Sequence, residues 1–232
     1  MTTIMTGISP IIYARIAGLL YFIIITSGIF SEVFIRSSLI VAGDASATAG
    51  NILASQTFFR IGFVSDSIML LADVAIAILF YLLFKPVSSL LSLSAAVFRL
   101  MQAAILGGNL LNYHAALLLL SGTGYATVFA GNDLNALAMF FLDMHSYGYD
   151  LGLIFFGVSN LFLGYLVIKS EYFPVLLGYG LFGAALVYLL GSYIHFIFPR
   201  YISLIEPIYI VPLLAELSFC LWLMVKGARV HA

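Results

Sequence analysis

Ionisable side chains are rare in this chain, and many of them lie within long apolar runs. Three of them, Asp143, His145 and Asp150, stand in the first turns of one such run. Carboxylates and imidazoles can bind cations, relay protons or ligate a metal, and inside a membrane they indicate a site by default. Counted from the predicted helix ends, such residues concentrate in the outer half of the protein. We interpret seven of them as the lining of one outward-facing ligand pocket: Asp66, His114, Asp143, His145, Asp150, His195 and Glu206.

A second polar set is predicted near the middle of the membrane. Asp73 and Arg99 each lie about 11 residues from the ends of adjacent predicted helices, so their depths match. Glu216 lies at a similar depth, and Gln102 shares a helix face with Arg99. One interpretation is a buried charge network that locks neighbouring helices together. The other is that these residues couple ligand binding to helix rearrangement.

The histidines also raise the hypothesis of a metal site. His114, His145 and His195 stand on three predicted helices at similar depth and could bind zinc with an open fourth position. The sequence contains no His-x-x-x-His, no His-Glu-x-x-His and no cysteine pair. These motifs would have given stronger support for zinc, which is the only cofactor that the sequence suggests. Any other cofactor is unknown from the sequence.

The elements that must position these residues are membrane-spanning helices. Of the 232 residues, 63% are hydrophobic and 8% are charged, whereas a soluble domain carries about 25% charged residues. A net charge of −1 gives no signature of nucleic-acid binding. We predict an all-α fold, a single domain over residues 1–232, with six membrane-crossing helices: Ile11–Phe34, Ile61–Phe84, Ser88–Leu120, Met144–Ile168, Val175–Phe198 and Ile205–Val225.

Two longer connections between these helices are predicted to be helical as well. Asp44 is a suitable N-cap for a helix over Ala45–Phe59. Asn132 or Asp133 begins a second apolar pattern at helical spacing, which leads up to Met144. We expect both to be short amphipathic helices that lie along the outer surface of the membrane, as lids over the bundle.

The basic residues in short connections predict the orientation. With the N-terminus inside, the cytoplasmic side carries five of them: Arg15, Lys85, Lys169, Lys226 and Arg229. Arg36, Arg60 and Arg200 fall on the outer side. We therefore expect a multi-pass protein with both termini in the cytoplasm, and we interpret the first apolar segment as a retained helix rather than a signal peptide.

Three segments resemble a known family. They are the stretch from Asp143 to Gly178, which contains a His-x-x-Gly-Tyr-x-x-Gly-Leu run, and the shorter stretches Ala14–Tyr21 and Phe98–Ala103. Together they resemble Domain of Unknown Function 4386, a family of bacterial integral membrane proteins, over nearly the whole chain. The resemblance implies a small multi-helix bundle in the bacterial cytoplasmic membrane, without further domains. It implies no activity and no functional residues.

Three classes of function follow from these observations. The leading hypothesis is a membrane protein that binds or carries a small or amphipathic solute, with membrane lipid as its surroundings. The first alternative is an intramembrane lipid-modifying hydrolase that could depend on zinc, so whether the chain is an enzyme stays open. The second is an accessory or assembly subunit, for which Gly178, Gly180 and Gly183 would supply a small-residue contact face. A homo-oligomer is compatible with all three.

Overall fold

The computed structural model describes residues 9–122, 129 and 131–229. Across these ranges all regular structure is helical, with no strand. The α-helices are α1 (Pro10–Ile29), α2 (Ser37–Leu39), α3 (Ala45–Ala54), α4 (Gln56–Phe84), α5 (Ser89–Leu120), α6 (Gly131–Lys169), α7 (Val175–Ile197), α8 (Ile202–Ile205) and α9 (Ile210–Val225). A π-helical segment joins α1 to α2 over Phe30–Arg36, and 3₁₀ turns occupy Pro199–Tyr201 and Glu206–Tyr209.

Six helical stretches are long and apolar enough to cross a membrane, and they confirm the predicted fold class. Their bounds are Pro10–Leu39, Gln56–Phe84, Ser89–Leu120, Asn132–Lys169, Val175–Ile197 and Pro199–Val225. The first crossing is extended beyond its predicted end by the π-helical segment and α2. The last crossing consists of short helical pieces followed by α9, because Pro207 and Pro212 interrupt regular helical hydrogen bonding.

The six crossing segments form a closed ring. Each packs against the next along the chain, from α1 through α4, α5, α6 and α7 to α9, and α9 packs in turn against α1. We call the end of the ring that carries α3 the lid end. The opposite end, where α1 begins and α9 finishes, is called the far end.

Close backbone contacts bring the helices of the ring together. A Cβ atom built on Gly18 of α1 would lie 2.6 Å from the backbone nitrogen of Met224 in α9. A Cβ on Gly178 of α7 would lie 2.7 Å from the carbonyl oxygen of Gly164 in α6. A side chain at either position would clash with the neighbouring helix. Both close contacts therefore require glycine.

The small residues of α7 serve packing within the ring. Gly178 lies against α6, whereas Gly180 and Gly183 face α9, where Ala215 and Val211 are the nearest neighbours. All three glycines thus contact neighbouring helices of the same chain, and the contact face for another protein stays a prediction. A helix–helix contact inside a chain gives the same small-residue pattern in the sequence as a contact between two chains.

The two predicted lids have different outcomes. The first is present as α3, and the Asp44 side chain accepts a hydrogen bond from the Ala47 backbone nitrogen at 2.9 Å. It ends at Ala54 rather than Phe59, because the chain turns at Ser55 before α4 begins. The second is helical but is the first part of the 39-residue α6 and not a separate helix. No glycine or proline lies between Asn132 and Met144 to end it.

A separate apolar cluster fills the lid end between α3, α4, α5 and α6. Phe59 and Tyr113 stack at its centre with their ring centroids 4.0 Å apart, and the Tyr113 hydroxyl donates to the Phe59 carbonyl at 2.9 Å. Ile52 of α3 and Leu142 of α6 pack against this pair. The early part of α6 thus belongs to the core at the lid end.

Candidate functional site

The ring encloses a cavity of about 190 Å³ in its interior. All six crossing segments contribute to its wall. Six of its lining side chains carry polar atoms: Asp73, Gln102, Tyr149, Tyr188, Tyr209 and Glu216. A cavity with a few convergent polar groups in an otherwise apolar wall is the usual form of a small-molecule site.

Asp73 of α4 stands on the cavity wall and is held by two residues of α5. Its Oδ1 lies 2.6 Å from Nη2 of Arg99 and accepts a hydrogen bond from Nε at 2.9 Å. Its Oδ2 accepts from Nε2 of Gln102 at 3.3 Å. Because these three side chains are buried, the ion pair is shielded from solvent and fixes α4 against α5.

Arg99 is enclosed by aromatic rings behind this wall. Its guanidinium carbon lies 4.8 Å from the ring centroid of Phe156, 5.3 Å from that of Tyr21 and 5.9 Å from that of Phe80. Ring faces attract a cation and replace part of its hydration. These contacts explain how a guanidinium that is 1% exposed is accommodated within the ring.

Glu216 supplies the second acid of the cavity, from α9. Its Oε1 accepts a hydrogen bond from Nδ2 of Asn160 in α6 at 3.1 Å, and the Tyr188 hydroxyl of α7 is a further hydrogen-bonding partner. Both partners are neutral. Glu216 therefore joins three helices through polar contacts, whereas the direct contact of Arg99 is with Asp73.

Apolar side chains of α1 and α9 that line the cavity are partly exposed. Ile29 of α1 and Leu213 of α9 are among them, with exposed fractions of 38% and 39%. A Cβ built on Gly28 would have only the sulfur of Met69 within 4 Å, at 3.3 Å. No atom of α9 lies within 4 Å of this Cβ position.

A different charge cluster lies at the lid end of α1 and α4. Arg36, the last residue of the π-helical segment, donates through Nη1 to Oδ2 of Asp66 at 2.6 Å. Its Nε donates to Glu32 at 2.7 Å, and Nη1 also contacts Ser31 Oγ at 2.9 Å. Within the π-helical segment, Ser31 and Arg36 both contact α4, through the Gly62 carbonyl and the Asp66 carboxylate.

A third polar cluster connects α6 with α7 at the lid end. One oxygen of Asp150 accepts from Ser192 Oγ at 3.1 Å, and the other contacts Nδ1 of His195. The His195 ring stacks on Tyr147 with centroids 4.4 Å apart. Serine and histidine thus bind the same carboxylate, whereas in a hydrolase triad the serine contacts the histidine.

The comparison with known proteins identifies a family. A family model described as Domain of unknown function (DUF4386) matches residues 16–227. The chain belongs to this family. A protein of Archaeoglobus fulgidus, itself named Uncharacterized protein, is 29% identical over 162 residues, which cover 70% of this chain and 81% of the relative. No solved structure shows a significant match to the chain. It is thus a multi-pass membrane protein of a family whose activity is uncharacterised.

In this DUF4386 chain the seven residues predicted to form one outer pocket are distributed among several environments. None of the seven lines the central cavity. Asp66 pairs with Arg36, and Asp150 pairs with His195. The His114 ring contacts Phe63, and the buried His145 ring contacts Tyr113. Two others are exposed at the lid end: Asp143 and Glu206.

The structure does not bring the three histidines together as a zinc site. His114, His145 and His195 each contact a different set of neighbours. Across the described ranges, His, Cys, Asp and Glu side chains form no group of three that could hold a metal ion. Similar depth was the basis of that hypothesis, and the three rings face different helices.

Several polar residues in and around the cavity were not predicted from the sequence. Asn160, which donates to Glu216, was not predicted from the sequence, although an amide in the middle of an apolar run indicates a buried polar contact. Tyr149 was not linked to the site, because tyrosines near predicted helix ends also form the interfacial belt of a membrane protein. Tyr188 lies in the middle of α7 and was not predicted as a site residue. Asn109 of α5, which donates to the His145 carbonyl at 2.7 Å, was not assigned to a site either.

Proposed function

We propose that this chain is a ligand-binding membrane protein, a carrier whose binding site for a small or amphipathic solute is the central cavity. The observation that carries the proposal is that one cavity inside the ring is lined by all six crossing segments and by Asp73, Gln102 and Glu216. Polar groups at mid-membrane depth are costly, and in membrane proteins they commonly mark substrate pathways.

The form of the sixth crossing supports a carrier. Two 3₁₀ turns and the four-residue α8 precede α9, and Pro212 and Tyr209 of this broken segment line the cavity. Interrupted helices beside a midplane site are the common construction of transporters, because the break lets one part of the helix move against the other. An occupant of the cavity contacts this segment and so biases its position.

The charge network supplies the connection between occupancy and helix packing. Asp73 lines the cavity and at the same time binds Arg99, so a ligand group that competes for Asp73 weakens the contact between α4 and α5. Glu216 links α9 with α6 in the same way through Asn160. Coupling between sites requires such an element with two arrangements that the ligand favours unequally.

The proposal includes a location and an orientation. We place the chain in the bacterial cytoplasmic membrane with both termini in the cytoplasm and the lid end outside. The excess of lysine and arginine in the short connections at the far end, including Lys85 and Lys169, supports this orientation. Fluorescent or cysteine-reactive labels placed at Ser37 and at Lys226 would report the two sides separately.

The test is a cavity-filling substitution with a matched control. In Gly28→Leu the new side chain enters the cavity, where the flexible Met69 is the neighbour that must give way. In Gly108→Leu the same change is made on another crossing helix, where a Cβ meets nothing within 4 Å. The thermal stability of each protein would be measured in lipid nanodiscs against a panel of small amphipathic molecules and lipids.

We expect at least one compound to raise the unfolding temperature of the wild type and of the control variant Gly108→Leu. The same compound should leave the unfolding temperature of Gly28→Leu unchanged. A panel that shifts none of the three proteins would overturn the proposal. A shift of equal size in Gly28→Leu and Gly108→Leu would place ligand binding outside the cavity and overturn it too.

A further inference from the structure

Acidic side chains outnumber basic ones around the cavity. Two carboxyl groups, Asp73 and Glu216, line it, and one guanidinium, that of Arg99, stands behind its wall. Arg99 is in contact with Asp73, and the hydrogen-bonding partners of Glu216 are an amide and a phenol. A carboxylate in a low-dielectric interior is unfavourable unless a cation accompanies it. A positively charged group in the cavity would complete the balance.

The hydrogen-bonding capacity of the wall also favours a donor as the occupant. Gln102 is 3% exposed, and its amide nitrogen already donates to Asp73. Its Oε1 has no hydrogen-bond partner among the residues that the structure describes. With the oxygens of Glu216 and Asp73, it gives the cavity acceptors that an ammonium, with three N–H donors, would satisfy.

Aromatic rings complete the surroundings expected for a cation. Tyr149, Tyr188 and Tyr209 line the cavity from α6, from α7 and from the turn before α9. The rings of Tyr188 and Tyr209 meet edge to face with centroids 6.0 Å apart. Aromatic side chains grouped beside a carboxylate recognise organic ammonium groups through cation–π attraction.

Ile29 of α1 and Leu213 of α9 both line the cavity and are both exposed, which favours an opening between these two helices. Towards the far end this seam is closed, with Cys220 Sγ 3.4 Å from the Gly18 carbonyl and the Tyr21 and Phe219 rings in contact. At the level of the cavity the exposed Ile29 and Leu213 form its edges. A volume of about 190 Å³ corresponds to the liquid volume of roughly six waters, which suits a polar head and not a long chain.

We infer that the cavity takes an amphiphile with a cationic amine head, which enters from the lipid between α1 and α9. The ammonium lies against Glu216 and the free oxygen of Gln102, and the alkyl chain extends along the seam past Ile29 and Leu213. This inference rests on the proposed function and adds to it the class of substrate and its route of entry.

The test uses three probes that share one chain and differ in the head group. Binding of radiolabelled n-octylamine would be measured on wild-type protein in phosphatidylcholine nanodiscs, with Gly28→Leu nanodiscs as the correction for partition into lipid. Unlabelled n-octanol and octanoate would compete for the same site. We expect saturable binding of one amine per chain, competition by octanol only at about tenfold or higher concentration, and no competition by octanoate.

Two variants test the role of the acid. Glu216→Gln keeps the shape of the side chain and removes its charge, so we expect the affinity for octylamine to fall about tenfold or more. Glu206→Gln makes the same change at an exposed position at the entry to the same crossing, and we expect it to leave the affinity unchanged. The head-group series on wild-type protein decides the question if Glu216→Gln does not fold.

The outcomes separate this inference from the proposed function. If the thermal panel identifies a ligand that Gly28→Leu no longer binds, while octylamine shows no saturable binding, the amine head is wrong and the cavity site stands. Equal competition by octanoate and octanol, or an unchanged amine affinity in Glu216→Gln, would also contradict the inference. A panel without any ligand that depends on Gly28 overturns both.

Discussion

Arg99 of α5 and Asp73 of α4 form an ion pair inside the ring, with Nη2 2.6 Å from Oδ1 and both side chains almost completely buried. The two members of the pair have different surroundings. Aromatic rings surround the guanidinium, and the cavity borders the carboxylate. Its two members therefore respond differently to substitution, since one is enclosed by protein and the other faces a space that a ligand can enter.

Removal of one member should destabilise the protein strongly. In Arg99→Met the Asp73 carboxylate remains buried without its cation, and we expect a loss of about 3–5 kcal/mol in the free energy of unfolding. The double variant Asp73→Asn, Arg99→Met removes the uncompensated charge and should recover part of that loss. Reversible unfolding in mixed micelles would measure both. Additive effects of the two single substitutions would show that the residues do not act as a pair.

The Asp150 cluster gives a second prediction. Asp150→Ala leaves Ser192 and His195 without their shared acceptor, and we expect a loss of about 1–3 kcal/mol in unfolding free energy. Asp143→Ala, on the same helix but exposed, should change it by less than about 0.5 kcal/mol. Equal effects of the two substitutions would mean that the contacts between α6 and α7 at Asp150 contribute no stability.

The glycines of α7 give a third prediction. Gly178→Ala places a Cβ 2.7 Å from the Gly164 carbonyl oxygen, and we expect α6 and α7 to separate at a cost of about 1–3 kcal/mol. Gly183→Ala places its Cβ 3.5 Å from the Val211 side chain, which is an ordinary contact, so its effect should be small or stabilising. Thermal unfolding in one detergent compares the two. A larger effect at Gly183 would contradict the packing described for α7.

Metal content provides a fourth prediction. Because the three histidines contact different neighbours, protein purified without chelator should contain less than about one-tenth of a zinc ion per chain. Treatment with a chelator should leave the unfolding temperature unchanged, since no structural metal would be removed. Stoichiometric zinc in the wild type that is lost in a His145→Ala variant would contradict this prediction and support the zinc hypothesis.

The crossing helices were predictable because their signal is long and redundant. About 20 apolar residues must cover the membrane core, and each of the six runs exceeds that length with few charges. The continuity of α6 was missed, although the absence of glycine and proline between Asn132 and Met144 already argued for it. The π-helical segment at Phe30–Arg36 carries no comparable signal, and the partner of its last residue, Asp66 on α4, lies 30 positions away in the sequence.

The site was harder to predict, because counting from helix ends gives the depth of a residue but not the direction in which it faces. His145 and Asp150 stand at similar depth, yet five residues turn a helix by about 140° from one to the other, so they face different neighbours. Asp73 and Glu216, which were assigned to the middle of the membrane, do line the cavity. Their helix neighbours could be known only once the order of the ring was established.

The contact between α1 and α9 has a consequence for biosynthesis. Gly18 and Cys220 meet although 202 positions separate them in the chain, so α1 cannot complete its packing until α9 has been synthesised. Until then Tyr21 and the apolar edge of α1 are turned towards lipid or towards an insertion factor. Loop closure over this length makes the final docking step slow relative to local helix pairing. A nascent chain that stalls before Leu213 would therefore be a half-open ring, and it is the species that membrane quality control would encounter.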